Sequence, residues 1–165
     1  MSTPVRDRPS FDSARFRHAL GHFATGLTIV TALSGDGPVG FTCQSFTSLS
    51  LDPPMIALAP GKASRSWPRI REAGAFCVNV LDAGQQDLCT AFATSGGDKF
   101  AAAPWSPGRN GAPRLAGSLA HVECRLVTAH DAGDHELVIG AVEDIEVHDG
   151  EPLLFYRGAF AGLSR

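Results

Sequence analysis

Eighteen glycines and eleven prolines interrupt a chain of 165 residues. Breaks at that density leave room for short elements joined by many turns, which fits a barrel or sandwich of strands better than a helical bundle. The runs between the breaks agree. Leu27 to Leu33 (LTIVTAL), Met55 to Pro60 (MIALAP) and Ala75 to Leu81 (AFCVNVL) are short, apolar and rich in β-branched residues, and read as strands. VGFTC, ending at Cys43, starts another. Two longer runs follow, LAHVECRLVTA and HELVIGAVEDIEV, and LLFYRG (Leu153 to Gly158) closes the chain. In the first long run Val122, Cys124 and Leu126 alternate with His121, Glu123 and Arg125, the pattern of a strand with one face buried and the other in water. Strands mostly follow one another without a helix between them. The expected fold is therefore all-β, a closed antiparallel barrel of six or seven strands with two or three short helices at its edge.

The helices are predicted from spacing. Over Asp12 to Thr25, Phe16, Ala19, Leu20 and Phe23 recur at helical intervals, and Gly26 can stop the run. In SRSWPRIREAG, Ser64 or Ser66 stands near the start, Pro68 suits the first turn, Trp67 and Ile70 face inward, and Gly74 follows the end. A third helix is expected over Gln85 to Ala93. The stretch GGDKFAAAPWSPGRNGAPRLAGS reads as one long irregular loop, of a length that usually has a function. Residues 1–10 read as a loose arm and 11–165 as a single domain, with no internal repeat.

Charge and cysteine content exclude several functions. The net charge of −3 gives no reason to expect nucleic acid or an anionic membrane as partner. No apolar run approaches the roughly 20 residues that span a bilayer, and MSTPVRDRPSF has charges and prolines where a signal peptide needs an apolar stretch. A cytoplasmic protein is expected. Cys43, Cys77, Cys89 and Cys124 form no C-x-x-C pair, so they read as reduced thiols and not as a zinc site.

Some motifs are misleading. GDGPVG (Gly35 to Gly40) matches G-x-G-x-x-G, but Pro38 and a β-like VGF stand where a dinucleotide site needs an opening helix. A hairpin turn is expected there. His18 and His22 are four apart on a predicted helix, yet no H-E-x-x-H and no third ligand accompany them, so no metal is expected. No G-x-S-x-G elbow supports a hydrolase triad.

Three stretches remain as places for chemistry. GFTCQSFTSLSLDPP, Gly40 to Pro54, is dense in small hydroxyls without formal charge; it suits either a self-bonding turn or the wall of a site for a polar, flat, phosphate-bearing ligand. KASRSWPRI sets small hydroxyls at a helix start beside Lys62, Arg65 and Arg69, a pattern that fits either an anion site or an ordinary capped helix with solvated arginines. GDHELVIGAV places His135 beside Asp134 at a turn entering a strand, where it can bond a ligand, carry a proton near neutral pH, or simply be solvated.

Taken together, ATGLTIVTA, GFTCQSFTSLSLDPP, SRSWPRI, FCVNVL, DKF, GDHELVIGAV and PLLFYRG, in this order and spacing, resemble the flavin reductase components of two-component flavin-dependent monooxygenases. Their fold is the Greek-key FMN-binding split barrel. The resemblance runs from about Phe16 to Gly162. Within that family VGF-x-C-Q-SF-x-x-LSL and SRSW look most like the actinobacterial reductases that serve a steroid-ring phenol hydroxylase. Cys43-Gln44 departs from the Ala-Asn or similar pair common in the family. The resemblance implies NAD(P)H-dependent reduction of FMN, or FAD, with hydride passing from nicotinamide C4 to flavin N5, and release of the reduced flavin to a separate monooxygenase. It implies that Thr25, Gly26, Thr28, Thr42, Cys43, Gln44 and Ser45 line the flavin. Ser48 and Ser50 would lie near its ribityl–phosphate end, and Lys62, Ser64 and Arg65 would hold the phosphate. Asp98, Lys99 and Phe100 would close over the site, and His135 would meet the nicotinamide of NADH or NADPH. It further implies a homodimer, with Tyr156 and Arg157 near the shared site. Such chemistry needs two rings held in register at about 3–3.5 Å, and neither nucleophile nor metal. An oxidase that retains its FMN and a flavin- or haem-binding module without turnover are the alternatives.

Overall fold

A computed structural model describes residues 9–164. Residues 1–8 of the expected arm lie outside the described residues. The elements in order are α1 (Ser13–Leu20), β1 (Thr25–Gly26), β2 (Thr28–Ser34), β3 (Gly37–Cys43), β4 (Thr47–Leu51), β5 (Pro54–Leu58), α2 (Trp67–Ala73), β6 (Ala75–Val80), α3 (Gln86–Ala93), β7 (Trp105–Pro107), β8 (Pro113–Leu115), β9 (Ala120–Ala132), β10 (His135–Val147), β11 (Leu154–Tyr156) and β12 (Ala159–Ala161). The fold is mostly β, with three helices and antiparallel sheets. Seven strands form the main sheet in the order β3-β2-β6-β9-β10-β5-β4. A small sheet β1-β11-β12 and the hairpin β7-β8 stand beside it.

Local chemistry explains the connections. GDGPVG is the β2-β3 hairpin: Ser34 pairs with Gly37 across a two-residue turn, and Gly37 has φ of 109°, which a side chain would resist. Pro68 sits in the first turn of α2, and Gly74 ends it in the left-handed conformation. Ser66 holds the N-cap position without a side-chain bond, and Ser64 Oγ instead accepts the Trp67 N–H at 3.1 Å.

One core cluster draws Val30, Ala32, Val39, Cys43, Ile56, Leu58, Phe76, Val78, Cys124 and Val138 from six of the seven strands and covers them with Trp67 and Ile70 of α2. A sheet whose β3 and β5 share one core is strongly curled. Its hydrogen-bonded order nevertheless runs from β3 to β4 without pairing between those two ends among the described residues. Alternation along β2 sends Ile29 to the opposite face, where Leu27, Leu81, Cys89, Phe92, Leu115 and Leu153 form a second cluster.

Among the described residues the expected closure of the barrel is not seen, and the structure departs from the expectations in three further places. First, the predicted helix over Asp12 to Thr25 ends at Leu20, and Thr25–Gly26 instead pairs with β11. Asp12 caps α1 by accepting the Arg15 N–H at 2.8 Å, yet α1 buries no residue: Phe16 is 49% exposed, Leu20 58% and the following Phe23 77%.

Second, the expected irregular loop holds the β7-β8 hairpin, docked by Thr31 Oγ1 donating to the Pro113 carbonyl at 2.5 Å and by the Leu115 N–H donating to Asn79 Oδ1 at 2.8 Å. Third, β9 is not wet on its polar face at this end. The hairpin covers it, so His121 and Glu123 are buried. The Glu123 carboxylate survives burial because it accepts the backbone N–H groups of Arg109 (3.2 Å) and Asn110 (2.8 Å) and pairs with the Arg114 guanidinium. Gly108 makes that approach possible, since a Cβ there would collide with the carboxylate.

Candidate functional site

The end of β3 separates two clefts. The first, of about 480 Å³, lies between Pro38–Thr42, Ala63–Ser66 with Arg69, and α3 with its following loop, Phe92 to Phe100. Gly40 fits α3 flush against β3; a Cβ at this position would press on the Phe92 ring and the Val30 carbonyl, both at 2.9 Å. Thr42 is tied to α3 by donating to the Cys89 carbonyl at 2.6 Å. The loop after α3 folds back over the cleft, held by the Phe100 ring edge-on against Phe92 (5.0 Å between centroids) and Trp105 (6.3 Å).

The electrostatics of this cleft are one-sided. Arg65, Arg69 and Lys99 line it against one carboxylate, Asp98, and none of the three cations has an ion pair among the described residues. Arg69 Nη2 donates to Ser34 Oγ at 2.7 Å, while its Nε is buried without a partner. The Lys99 ammonium reaches only carbonyls, those of Phe92 (3.0 Å) and Gly40 (3.4 Å), and burial pulls its pKa below the usual lysine value. A cleft lined by three cations and one carboxylate suits an anion.

The second cleft, of about 990 Å³, is apolar. Phe16, Leu20, Phe23, Phe46 and Phe155 line it, with Thr25, Gly26, Gln44 and Ser45 at its polar side and Arg157 at its edge.

The residues expected at a site thus divide. Thr42, Ser64, Arg65, Lys99 and Phe100 meet in the first cleft, and Thr25, Gly26, Gln44 and Ser45 in the second. Thr28 and Cys43 lie between them in the core: both are 3% exposed, and Thr28 Oγ1 donates to the Cys43 carbonyl at 2.6 Å. Burial raises the Cys43 thiol pKa. Ser45 Oγ accepts the Ala59 N–H at 2.8 Å. Ser48 and Ser50 lie on the edge strand β4 and line neither cleft.

Lys62 turns from the first cleft to Asp131, at 2.9 Å, and its N–H donates to the Asp134 carbonyl. Beside it His135, half exposed, shares a hydrogen bond of 2.7 Å between Nδ1 and Asp134 Oδ1. That contact holds the Asp134 pKa below the ordinary carboxylate range and directs Nε2 away from Asp134. Arg69, Ser66 and the Ser95–Gly97 turn are among the cleft residues to which the resemblance assigned no role. For Arg69 the signal was in the sequence, where it stands with Lys62 and Arg65 in the basic stretch around the start of α2.

Residues 20–164 match the flavin reductase like domain family, and the chain belongs to that family. It is 48% identical over 155 residues to the reductase subunit of a flavin-dependent monooxygenase from Rhodococcus jostii strain RHA1, covering 93% of this chain and 80% of that one. It is 45% identical over 154 residues to an NADH-dependent FMN reductase from Agrobacterium fabrum, covering 93% and 88%. Among solved structures, an NADH:FAD oxidoreductase from Streptomyces globisporus, in complex with NAD and FAD fragments, superposes with a TM-score of 0.88 at 36% identity, covering 93% of each chain.

Proposed function

We propose that this protein is an NADH-dependent flavin reductase that supplies reduced flavin to a separate monooxygenase. The observation that carries the site is the anion-seeking first cleft, with Arg65, Arg69 and Lys99 unpaired by carboxylates and Arg69 Nε buried without a partner. The similarity to an FMN reductase and to an NADH:FAD oxidoreductase supports FMN, with FAD as a second substrate, and NADH as the reductant. The similarity to a monooxygenase reductase subunit supports the partner.

In this reading Arg65, Arg69, Ser64 and Lys99 hold the flavin phosphate, and Thr42 with Phe100 borders the ring side of the same cleft. The two bound rings supply the hydride chemistry; the protein supplies orientation and exclusion of water. His135, fixed by Asp134, presents Nε2 to the nicotinamide. The neutral hydroxyls and carbonyls of the wall let the flavin leave after reduction, because buried charges around the ring would hold one redox state too tightly.

Residues 11–165 act as one domain, and the curled sheet is the open-edged form of a Greek-key split barrel. The apolar cleft and the uncovered Phe16, Leu20 and Phe23 are where a second copy docks to form a homodimer, which brings Thr25, Gly26, Gln44 and Ser45 under cover. We set the enzyme in the cytoplasm, the compartment that its unpaired thiols favour. No helix among the described residues is long and apolar enough to cross a membrane.

The test is direct. Purified protein with FMN and NADH in air consumes NADH over many turnovers per chain, and gel filtration strips the flavin. Absence of turnover with FMN and FAD, using either pyridine nucleotide, refutes the function. Flavin that stays bound through gel filtration points instead to an oxidase.

A further inference from the structure

A second constellation lies outside both clefts. Glu146 on β10 stands directly opposite His121 on β9, and His148 follows Glu146 by two residues. Cross-strand partners and i, i+2 neighbours share a face, so the three side chains converge. One donor atom from each lies within 4.8 Å of the others. His148 is held in place by its own N–H donating to the Leu119 carbonyl at 2.7 Å.

The buried histidine is set up as a ligand. His121 is 6% exposed, and its Nε2 lies 2.9 Å from the Leu115 carbonyl, which can only accept. Nε2 therefore carries the hydrogen, which leaves Nδ1 as the ring atom that can serve as a ligand. That Nδ1 is buried with no hydrogen-bond partner, 3.8 Å from Glu146 Oε2. A backbone carbonyl that fixes the tautomer of a histidine is the usual support behind a metal ligand. His148 Nε2 lies 3.5 Å from Glu146 Oε1. Ligands around a tetrahedral ion with bonds of about 2.0–2.2 Å stand roughly 3.4 Å apart, so small rotations of the half-exposed Glu146 and His148 close the shell.

Charge agrees. Glu123, Asp144 and Glu146 face two cations, Arg114 and Arg109, which leaves a negative excess. Arg114 holds Glu146 by Oε2 and so orients Oε1 toward His148.

We propose that His121 Nδ1, Glu146 and His148 Nε2 bind one borderline divalent transition ion, of which Zn²⁺ is the natural occupant, with water in the remaining position. Two imidazoles and one carboxylate favour such an ion over Mg²⁺ or Ca²⁺. The ion ties the end of β9 to the end of β10, where the β7-β8 hairpin docks, and takes no part in flavin reduction.

The experiment uses the full chain, stripped with chelator and dialysed against ZnCl₂. Metal analysis should find one zinc per chain, and the thermal midpoint should rise with zinc. CoCl₂ should give the visible absorption of a tetrahedral site. His148→Ala, at an exposed position, should weaken zinc binding roughly tenfold or more and abolish both the thermal shift and the cobalt spectrum. His22→Ala removes the other histidine pair, His18 with His22 at 4.9 Å between rings, and should change none of these. Failure to bind zinc at tens of micromolar, binding unaltered in His148→Ala, or loss of binding in His22→Ala would each overturn the site.

Discussion

Replacement of Arg69 by alanine tests the cleft at its most informative atom. Arg69 is placed by Ser34 at 2.7 Å, and its Nε is buried without an acceptor. Leaving a charged donor unsatisfied is costly, and a hydrogen bond to a charged group contributes about 1.5–3 kcal/mol. At about 1.4 kcal/mol per decade this corresponds to a roughly 10- to 150-fold weaker hold on a phosphate. The same contact exists before and during hydride transfer, so KM for FMN should rise by that factor while kcat changes little. Because Arg69 lines an open cleft, the rise of KM with ionic strength should also be shallower in the variant. The assay is steady-state NADH oxidation at saturating NADH, with FMN varied, then repeated with riboflavin, which has no phosphate. Riboflavin kinetics should be the same in both proteins. An FMN KM within twofold of the parent, or an equal loss with riboflavin, would show that Arg69 does not bind the phosphate.

Three further outcomes are expected. His135→Ala should raise KM for NADH far more than it weakens flavin binding measured by titration; equal losses would remove His135 from the nicotinamide side. Gly108→Ala should destabilise the fold by about 1–3 kcal/mol, the range for overpacking a tight site, read by urea denaturation; an unchanged midpoint would mean that the loop yields freely. Cys77 and Cys124 are fully buried, and burial pushes each thiol from 9.0 up to about 12. Unfolded thiols ionise above pH 9 while the folded ones do not, so the stability they hold below pH 9 should be lost progressively as the pH rises from 9 towards 12. Thiol reagents at pH 8 should accordingly leave both unlabelled until denaturant is added, and rapid labelling of the native protein would contradict the burial.

Strands with clean alternation or strong β-branched content were legible from the sequence, and so were the hairpin turn within GDGPVG and the helix stop at Gly74. Each is set by local chemistry. What escaped depended on distant partners. Trp105–Pro107 and Pro113–Leu115 are three-residue strands broken by proline, and they exist because Thr31 and Asn79 offer them bonds from strands far away in sequence. Glu123 read as solvent-facing because alternation describes one sheet and not what lies on top of it. Lys62 and Arg69 show the same limit within the site. Both were legible as basic residues near a helix start, but only the third dimension sends Lys62 to Asp131 and Arg69 into the cleft. The face of α1 was legible as apolar, whereas its covering was not, because no part of the described chain supplies it.

The buried ionic network and the cleft are connected parts of one arrangement. Lys99 and Phe100 sit on the strand-free segment between α3 and β7, which has few bonds of its own: the Phe100 N–H to Asp98 Oδ1 at 3.1 Å and the short turns that follow. Its far end is anchored by the β7-β8 hairpin, and that hairpin is fixed by Glu123, Arg114, Thr31 and Asn79. A buried carboxylate with its arginine removed costs about 3–5 kcal/mol, enough to free the hairpin and with it Trp105, against which Phe100 rests. The position of the Lys99 ammonium at the cleft therefore depends on residues that never touch a ligand. For that reason Arg114→Met should raise KM for FMN together with its loss of stability. Combining Glu123→Gln with it, which removes the stranded charge, should recover part of both; recovery of stability without recovery of KM would separate the hairpin from the cleft.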